Sequence, residues 1–148
     1  MFKPSLATRV ISLAVLLALV FASLPAPVAA ATGNNRGLEA KWAKLIVLYR
    51  RHTTLHNNAP RWVALWIREH KEAPERKKDQ VRKDLASSNT AWAAVPAIVA
   101  RHNGFDSQGN VIDKAAARES VKDLSRALQR YKASLKKLKA IIRQYSDE

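Results

Sequence analysis

Residues 117–145, ARESVKDLSRALQRYKASLKKLKAIIRQY, set Ala117, Val121, Leu124, Leu128, Tyr131, Leu135, Leu138, Ile142 and Tyr145 at alternating steps of four and three. That spacing holds apolar side chains on one stripe of an α-helix. The stretch therefore predicts one helix of four heptads. Asp113 stands where an N-cap belongs, Glu119 and Asp123 lie early, and Lys and Arg crowd the later turns, as the helix dipole favours. Ser120, Ala127 and Ser134 are small and Ile141 is apolar, so the seam widens into the face of a bundle helix. A two-stranded coiled coil would carry charged pairs on both flanks. At about 1.5 Å per residue, about 33 residues span roughly 50 Å, longer than any other predicted helix.

Upstream, Phe105-Asp-Ser-Gln-Gly-Asn-Val-Ile112 is a loop rich in turn residues. Its likeness to a calcium loop is superficial, because the bidentate glutamate due six residues after the glycine is Ala115. Asn103-Gly104 ends a predicted apolar helix at 91–102, capped by Ser87-Ser-Asn-Thr90, with Pro96 expected to kink it or mark its start. Residues 75–85 are mostly charged, with Val81 and Leu85 at helical spacing. Glu72/Arg76, Glu75/Lys78 and Asp79/Lys83 are pairs worth about 0.2–0.5 kcal/mol each on an exposed helix. Ala73-Pro74 interrupts the chain before them, and the sequence leaves open whether Pro74 kinks or reverses it. Trp62, Leu65, Trp66 and Glu69/His70 share one side of a further helix. Asn57-Asn58-Ala-Pro60 is expected to separate that helix from the first, whose face carries Leu38, Trp42, Leu45, Tyr49, His52 and His56, widened by Ile46 and Leu48. No strand pattern occurs. The expectation is an all-α fold: one bundle-like domain of four to five helices over 38–148, ending in the long heptad helix.

Residues 1–30 have the features of a cleavable signal peptide. Lys3 and Arg9 precede an apolar run at 10–24, and Pro25-Ala-Pro-Val-Ala-Ala-Ala31 supplies small residues for cleavage after Ala30 or Ala31. The run is about fifteen residues, short of the roughly 20 a membrane-spanning helix needs. Residues 31–37 then form a flexible leader, and the expected localisation is secreted or periplasmic. Without cysteine, neither lipid attachment at an N-terminal cysteine nor a disulfide operates.

The net charge is +14, and the about 117 residues expected after cleavage keep 24 basic against 12 acidic residues. Such an excess either keeps an exported chain soluble or meets an anionic partner. Between Leu124 and Ser146 stand Arg126, Arg130, Lys132, Lys136, Lys137, Lys139 and Arg143, with no acid. Arg76, Lys77, Lys78, Arg82 and Lys83 form a second cluster. These twelve are the candidate anion-binding residues. An exported chain is removed from its own genome, so genomic nucleic acid is not expected; the partner is an anionic polymer, a lipid headgroup or an acidic protein.

Catalytic signatures are missing. There is no Gly-x-Ser-x-Gly, no Gly-rich phosphate loop and no cysteine, and most carboxylates serve as caps or ion-pair partners, Glu69 and Asp106 being less explained. A non-enzymatic protein without a cofactor is expected. His52-Thr-Thr-Leu-His56 sets two imidazoles on one helical face, as metal ligands often stand, but Thr53 replaces the glutamate that activates water in His-Glu-x-x-His hydrolases. Metal handling by His52 and His56, in a periplasmic metal-binding or chaperone-like protein, remains an alternative. Leu124-Ser-Arg-Ala-Leu128 lacks the Leu-Thr-x-x-Gln signature of small helical periplasmic chaperones. Capping competes, since His56, His70 and His102 fall in predicted last helical turns, and Arg50, Arg51 and Arg61 oppose a cation. A kink at Pro74 would bring His102 toward His52 and His56; a reversal would join His70 and His102. Trp62 and Trp66, beside Arg61 and Arg68, form either a stacking surface or, with Trp42 and Trp92, the core. Self-association through the long helix is a third alternative.

Overall fold

The structure, a computed structural model, describes residues 35–146; the expected signal peptide lies outside the described residues. The described chain is all-helical, without strands. Helix α1 spans Arg36–Glu69 and α2 spans Glu75–Arg101; α3, Lys114–Leu135, continues through a 3-10 turn at Lys136–Leu138 into α4, Lys139–Ser146.

Two clusters of buried side chains fix the direction of each helix. Trp42 from the start of α1 packs with Trp92 and Val95 from the end of α2, and with Ala117, Leu124, Leu128 and Tyr131 of α3. Trp62, Val63 and Trp66 from the end of α1 pack with Val81 from the start of α2, and with Leu138, Ile141 and Tyr145. Hence α2 runs antiparallel to both α1 and the α3–α4 rod. Pro74 reverses the chain: it is the N-cap of α2, and its carbonyl accepts from the Lys77 N–H at 2.8 Å.

The turn expected at 57–60 does not form. Pro60 lies inside α1, and Asn58 caps nothing, its Nδ2 donating back to the Thr54 carbonyl at 2.9 Å. The apolar series explains this, because after His56 it continues in the same steps through Ala59, Val63, Trp66 and His70. A proline inside a helix costs about 3 kcal/mol. Burying Trp62, Val63 and Trp66 stabilises by about 1.5–3 kcal/mol each, and outweighs it. Pro60 itself is on the exposed side, where solvent can take up the carbonyl it leaves unpaired.

The cap expected at 87–90 is likewise helix interior. Ser88 is buried with its Oγ donating to the Leu85 carbonyl at 2.8 Å, and Thr90 Oγ1 donates to that of Ala86 at 3.1 Å. Hydroxyls turned back onto their own helix no longer compete with it. Pro96 too is accommodated within α2.

The C-terminal rod differs from a single unbroken helix, and α1, at 34 residues, is the longest helix among the described residues. Asp113 does cap α3, its side chain accepting from the Ala116 N–H at 3.0 Å. Near Leu135 the winding tightens toward three residues per turn. The buried positions become Leu135, Leu138, Ile141 and Tyr145, so Ile141 moves inside and Ile142 is left half-buried.

The 102–113 loop is tied to the starts of α1 and α3, at one end of the rods. Asp106 Oδ1 accepts from the N–H groups of Gln108 and Asn110 at 2.9 and 2.8 Å, and Oδ2 accepts from Asn110 Nδ2 at 2.9 Å. Gly109 takes φ +86°, and Phe105 stacks on Trp42 with ring centroids 4.6 Å apart. Glu39 Oε1 accepts from the Val111 N–H at 3.1 Å, tying the loop to α1. Gly104 is not a left-handed helix cap. It is buried where a Cβ would lie 2.1 Å from the Ala117 nitrogen, so its requirement is close approach to α3.

Candidate anion-binding groove

His52 and His56 lie one turn apart inside the continuous α1, half-buried against the rods. The His52 ring meets Tyr131 edge-on at 5.5 Å, and His56 stacks on Trp92 at 5.2 Å. Burial, then Arg51, then Lys132 hold the His52 pKa below its ordinary value; burial alone lowers that of His56. Burial also raises the Tyr131 hydroxyl to about 12. Both Nδ1 atoms and the Tyr131 hydroxyl are buried without a hydrogen-bond partner among the described residues. Among those residues no group of three or more His, Cys, Asp or Glu side chains could hold a metal.

The other histidines are far from this pair and from each other. Because 57–60 is helix, His70 ends α1 and His102 ends α2 at opposite ends of the rods, and the meeting expected from a reversal at Pro74 does not occur. Each caps its helix, the Nδ1 bonding the Trp66 carbonyl at 2.9 Å and the Val99 carbonyl respectively. His56, by contrast, is mid-helix. Glu69 accepts from the Tyr145 hydroxyl, which accounts for one of the two unexplained carboxylates; Asp106, in its loop, accounts for the other. All four tryptophans are buried, so none presents a stacking face.

The basic residues divide by their neighbours. Lys78 is buried, its Nζ donating to the Lys71 carbonyl at 2.8 Å and to Glu75 at 2.9 Å. Arg82 pairs with Asp79 at 2.7 Å, and Lys77 sits over the Trp66 ring at 5.6 Å. Lys137 reaches Asp84 at 3.6 Å, which brings the 3-10 turn of the rod beside the charged end of α2, next to Lys83. Arg76, Lys83, Arg126, Arg130, Lys132, Lys136, Lys139 and Arg143 are exposed.

Arg126 and Lys132 face a groove between α1 and α3 that the sequence did not reveal. At one end it is lined by Lys41, Lys44, Leu45, Val121, Lys122 and Arg126. Leu45, Leu48, Arg51, Leu55, Leu128 and Lys132 line its continuation, which also touches His52. Six cations thus rim a mostly apolar floor, three from each helix, with Ser125 shared by both parts and Gln129 in the second. No carboxylate lines either part, and among the described residues none of the six forms an ion pair. Glu119 and Asp123 line the other flank of α3, beside Ile98 and Arg101. Lys41, Lys44 and Arg51, dispersed along α1, and Lys122, set beside Asp123, lie outside the basic runs of the sequence. The signal on α1 is nonetheless present, Lys41, Lys44, Leu48, Arg51 and Leu55 repeating the three-four step beside the buried seam.

Comparison of the chain with protein-family models, with curated proteins and with solved structures finds no match.

Proposed function

We propose that this is an exported, non-enzymatic helical protein whose bundle-like domain binds an anionic partner in the α1–α3 groove. The observation that carries the reading is the pair of unpaired basic rows facing each other across a mostly apolar floor. Cations held on two rigid helices repel one another when the groove is empty, and an anion relieves that repulsion. The signal-peptide pattern of residues 1–30 supports a secreted or periplasmic setting. The charged end of α2 contributes less, since Lys78, Arg82 and Lys137 already have acidic neighbours.

Titrating the protein with a polyanion such as polyglutamate tests this. Affinity is expected to drop at least tenfold between about 0.05 and about 0.5 M salt, over which the screening length shrinks severalfold. Lys44→Glu with Arg126→Glu should weaken binding more than Arg76→Glu with Lys83→Glu. Salt-independent affinity, or equal effects of the two pairs, would overturn the assignment.

A second reading keeps His52 and His56 as a transition-metal pair, on the ground of the two unpartnered Nδ1 atoms and the Tyr131 hydroxyl between α1 and α3. Arg51 and Lys132 beside His52 oppose it. Zn2+ titration decides it: loss of binding in His52→Ala/His56→Ala supports the site, and unchanged affinity removes it.

A further inference from the structure

We propose that the groove receives an acidic amphipathic helix from a partner protein; this rests on the anionic-partner reading above and names the partner's form. The distribution of charge argues for it first. Cations stand at both ends of both rims, Lys44 and Arg126 at one end and Arg51 and Lys132 at the other. A single lipid headgroup would neutralise one end only. The floor argues next: Leu45, Val121 and Leu128 are recessed between the helices, with Leu48 the exposed one, so a flat bilayer surface cannot reach most of it. Nucleic acid fares no better. Single strands bind through exposed aromatic faces, and the described aromatic side chains are all buried or half-buried.

An amphipathic helix meets every term. Its apolar residues at i, i+3, i+4 and i+7 would enter the floor, and acidic residues on both flanks would face the two rims. From Lys41 to Leu55 the groove runs about 21 Å at 1.5 Å per residue, close to four helical turns. The chain has no such segment to offer a second copy. Its acids near 72–79 alternate with Arg and Lys, and residues 1–34 contain none. The apolar seam of the α3–α4 rod is itself packed within the chain, with Ala117, Leu124, Leu128, Tyr131, Leu138 and Tyr145 buried.

The test uses the full chain and a synthetic four-turn peptide with leucines on one face and glutamates on both flanks, its scrambled isomer, and polyglutamate. The designed peptide is expected to gain helical circular dichroism on binding and to bind at least tenfold more tightly than the scramble. Leu48→Gln, at a partly exposed position, should weaken the peptide about tenfold but leave polyglutamate unchanged. Equal binding of peptide and scramble overturns the helix, as does tighter binding of phosphatidylglycerol vesicles or of a DNA oligomer. In those cases sensitivity to Arg126→Glu preserves the anionic groove. Failure of every anionic probe to bind at low salt overturns both. Should Leu48→Gln fail to fold, the peptide-to-scramble ratio on the unaltered chain decides alone.

Discussion

His52 occupies an uncomfortable place for a titratable group, packed against Tyr131 with Arg51 and Lys132 nearby. Its folded pKa, like that of His56, lies below the ordinary 6.5, so the folded chain prefers the neutral rings. The stability this represents is complete above pH 6.5. It is lost as pH falls from there through the lowered folded values, because the unfolded chain takes up the protons first. Thermal unfolding between pH 7.5 and pH 5 should therefore show a falling midpoint, with a smaller fall in His52→Gln/His56→Gln; an identical pH dependence in the variant would refute the assignment. Gly104 is a second residue whose role lies in space and not in sequence. Gly104→Ala places a Cβ against the Ala117 backbone and is expected to destabilise by about 1–3 kcal/mol, read from the denaturant midpoint. From the sequence Gly104 looks like an ordinary helix stop, because only the path of α3 shows what it must avoid.

At the scale of elements, prolines and polar clusters were the misleading signals and periodicity the dependable one. The four-three series from Leu38 to His70 crosses Pro60 without losing step, and α1 follows the series. Local breakers are worth a few kcal/mol at most, whereas three large side chains buried beyond the proline are worth more. Pro60→Ala should accordingly stabilise the protein by up to about 3 kcal/mol, with the exposed site unable to clash. A lower thermal midpoint in that variant would mean that α1 needs the bend a proline imposes. The C-terminal rod shows the opposite, an unbroken heptad pattern that conceals a 3-10 turn at Lys136–Leu138. There Ile141 and Ile142 compete for the inside, and the neighbouring Val81 and Trp62 are part of what decides between them.

Over the whole molecule, charge and core are arranged in opposite senses. The core forms two clusters along the rods, while six cations face the groove between α1 and α3 and Glu119 and Asp123 of α3 line its other flank. Two opposed salt effects follow. Added salt should raise the thermal midpoint of the free protein, by screening the six facing cations, while lowering its affinity for an anionic partner. A midpoint that falls or stays level as sodium chloride rises would show that the facing rows do not strain the fold. Arg126 and Lys132 on α3 were legible because they belong to a basic run without an acid; Lys122, set before Asp123, was not. Their partners on α1 were not, since nothing in a linear chain says which turn of one helix will face which turn of another.

The sequence by itself determined the helical class, the apolar seams of α1 and α3, the Asp113 cap, the absence of disulfides and the excess of positive charge. These are properties of neighbours within a turn or two, where spacing and residue type suffice. Only the tertiary structure decided that Pro60 and Pro96 would be absorbed, that Pro74 would reverse the chain, that His52 would meet Tyr131, and that Lys41, Lys44 and Arg51 would face Lys122, Arg126 and Lys132. Those outcomes depend on how each helix is rotated about its axis. That rotation is set by burial among residues tens of positions apart, whose combined free energy exceeds any local preference.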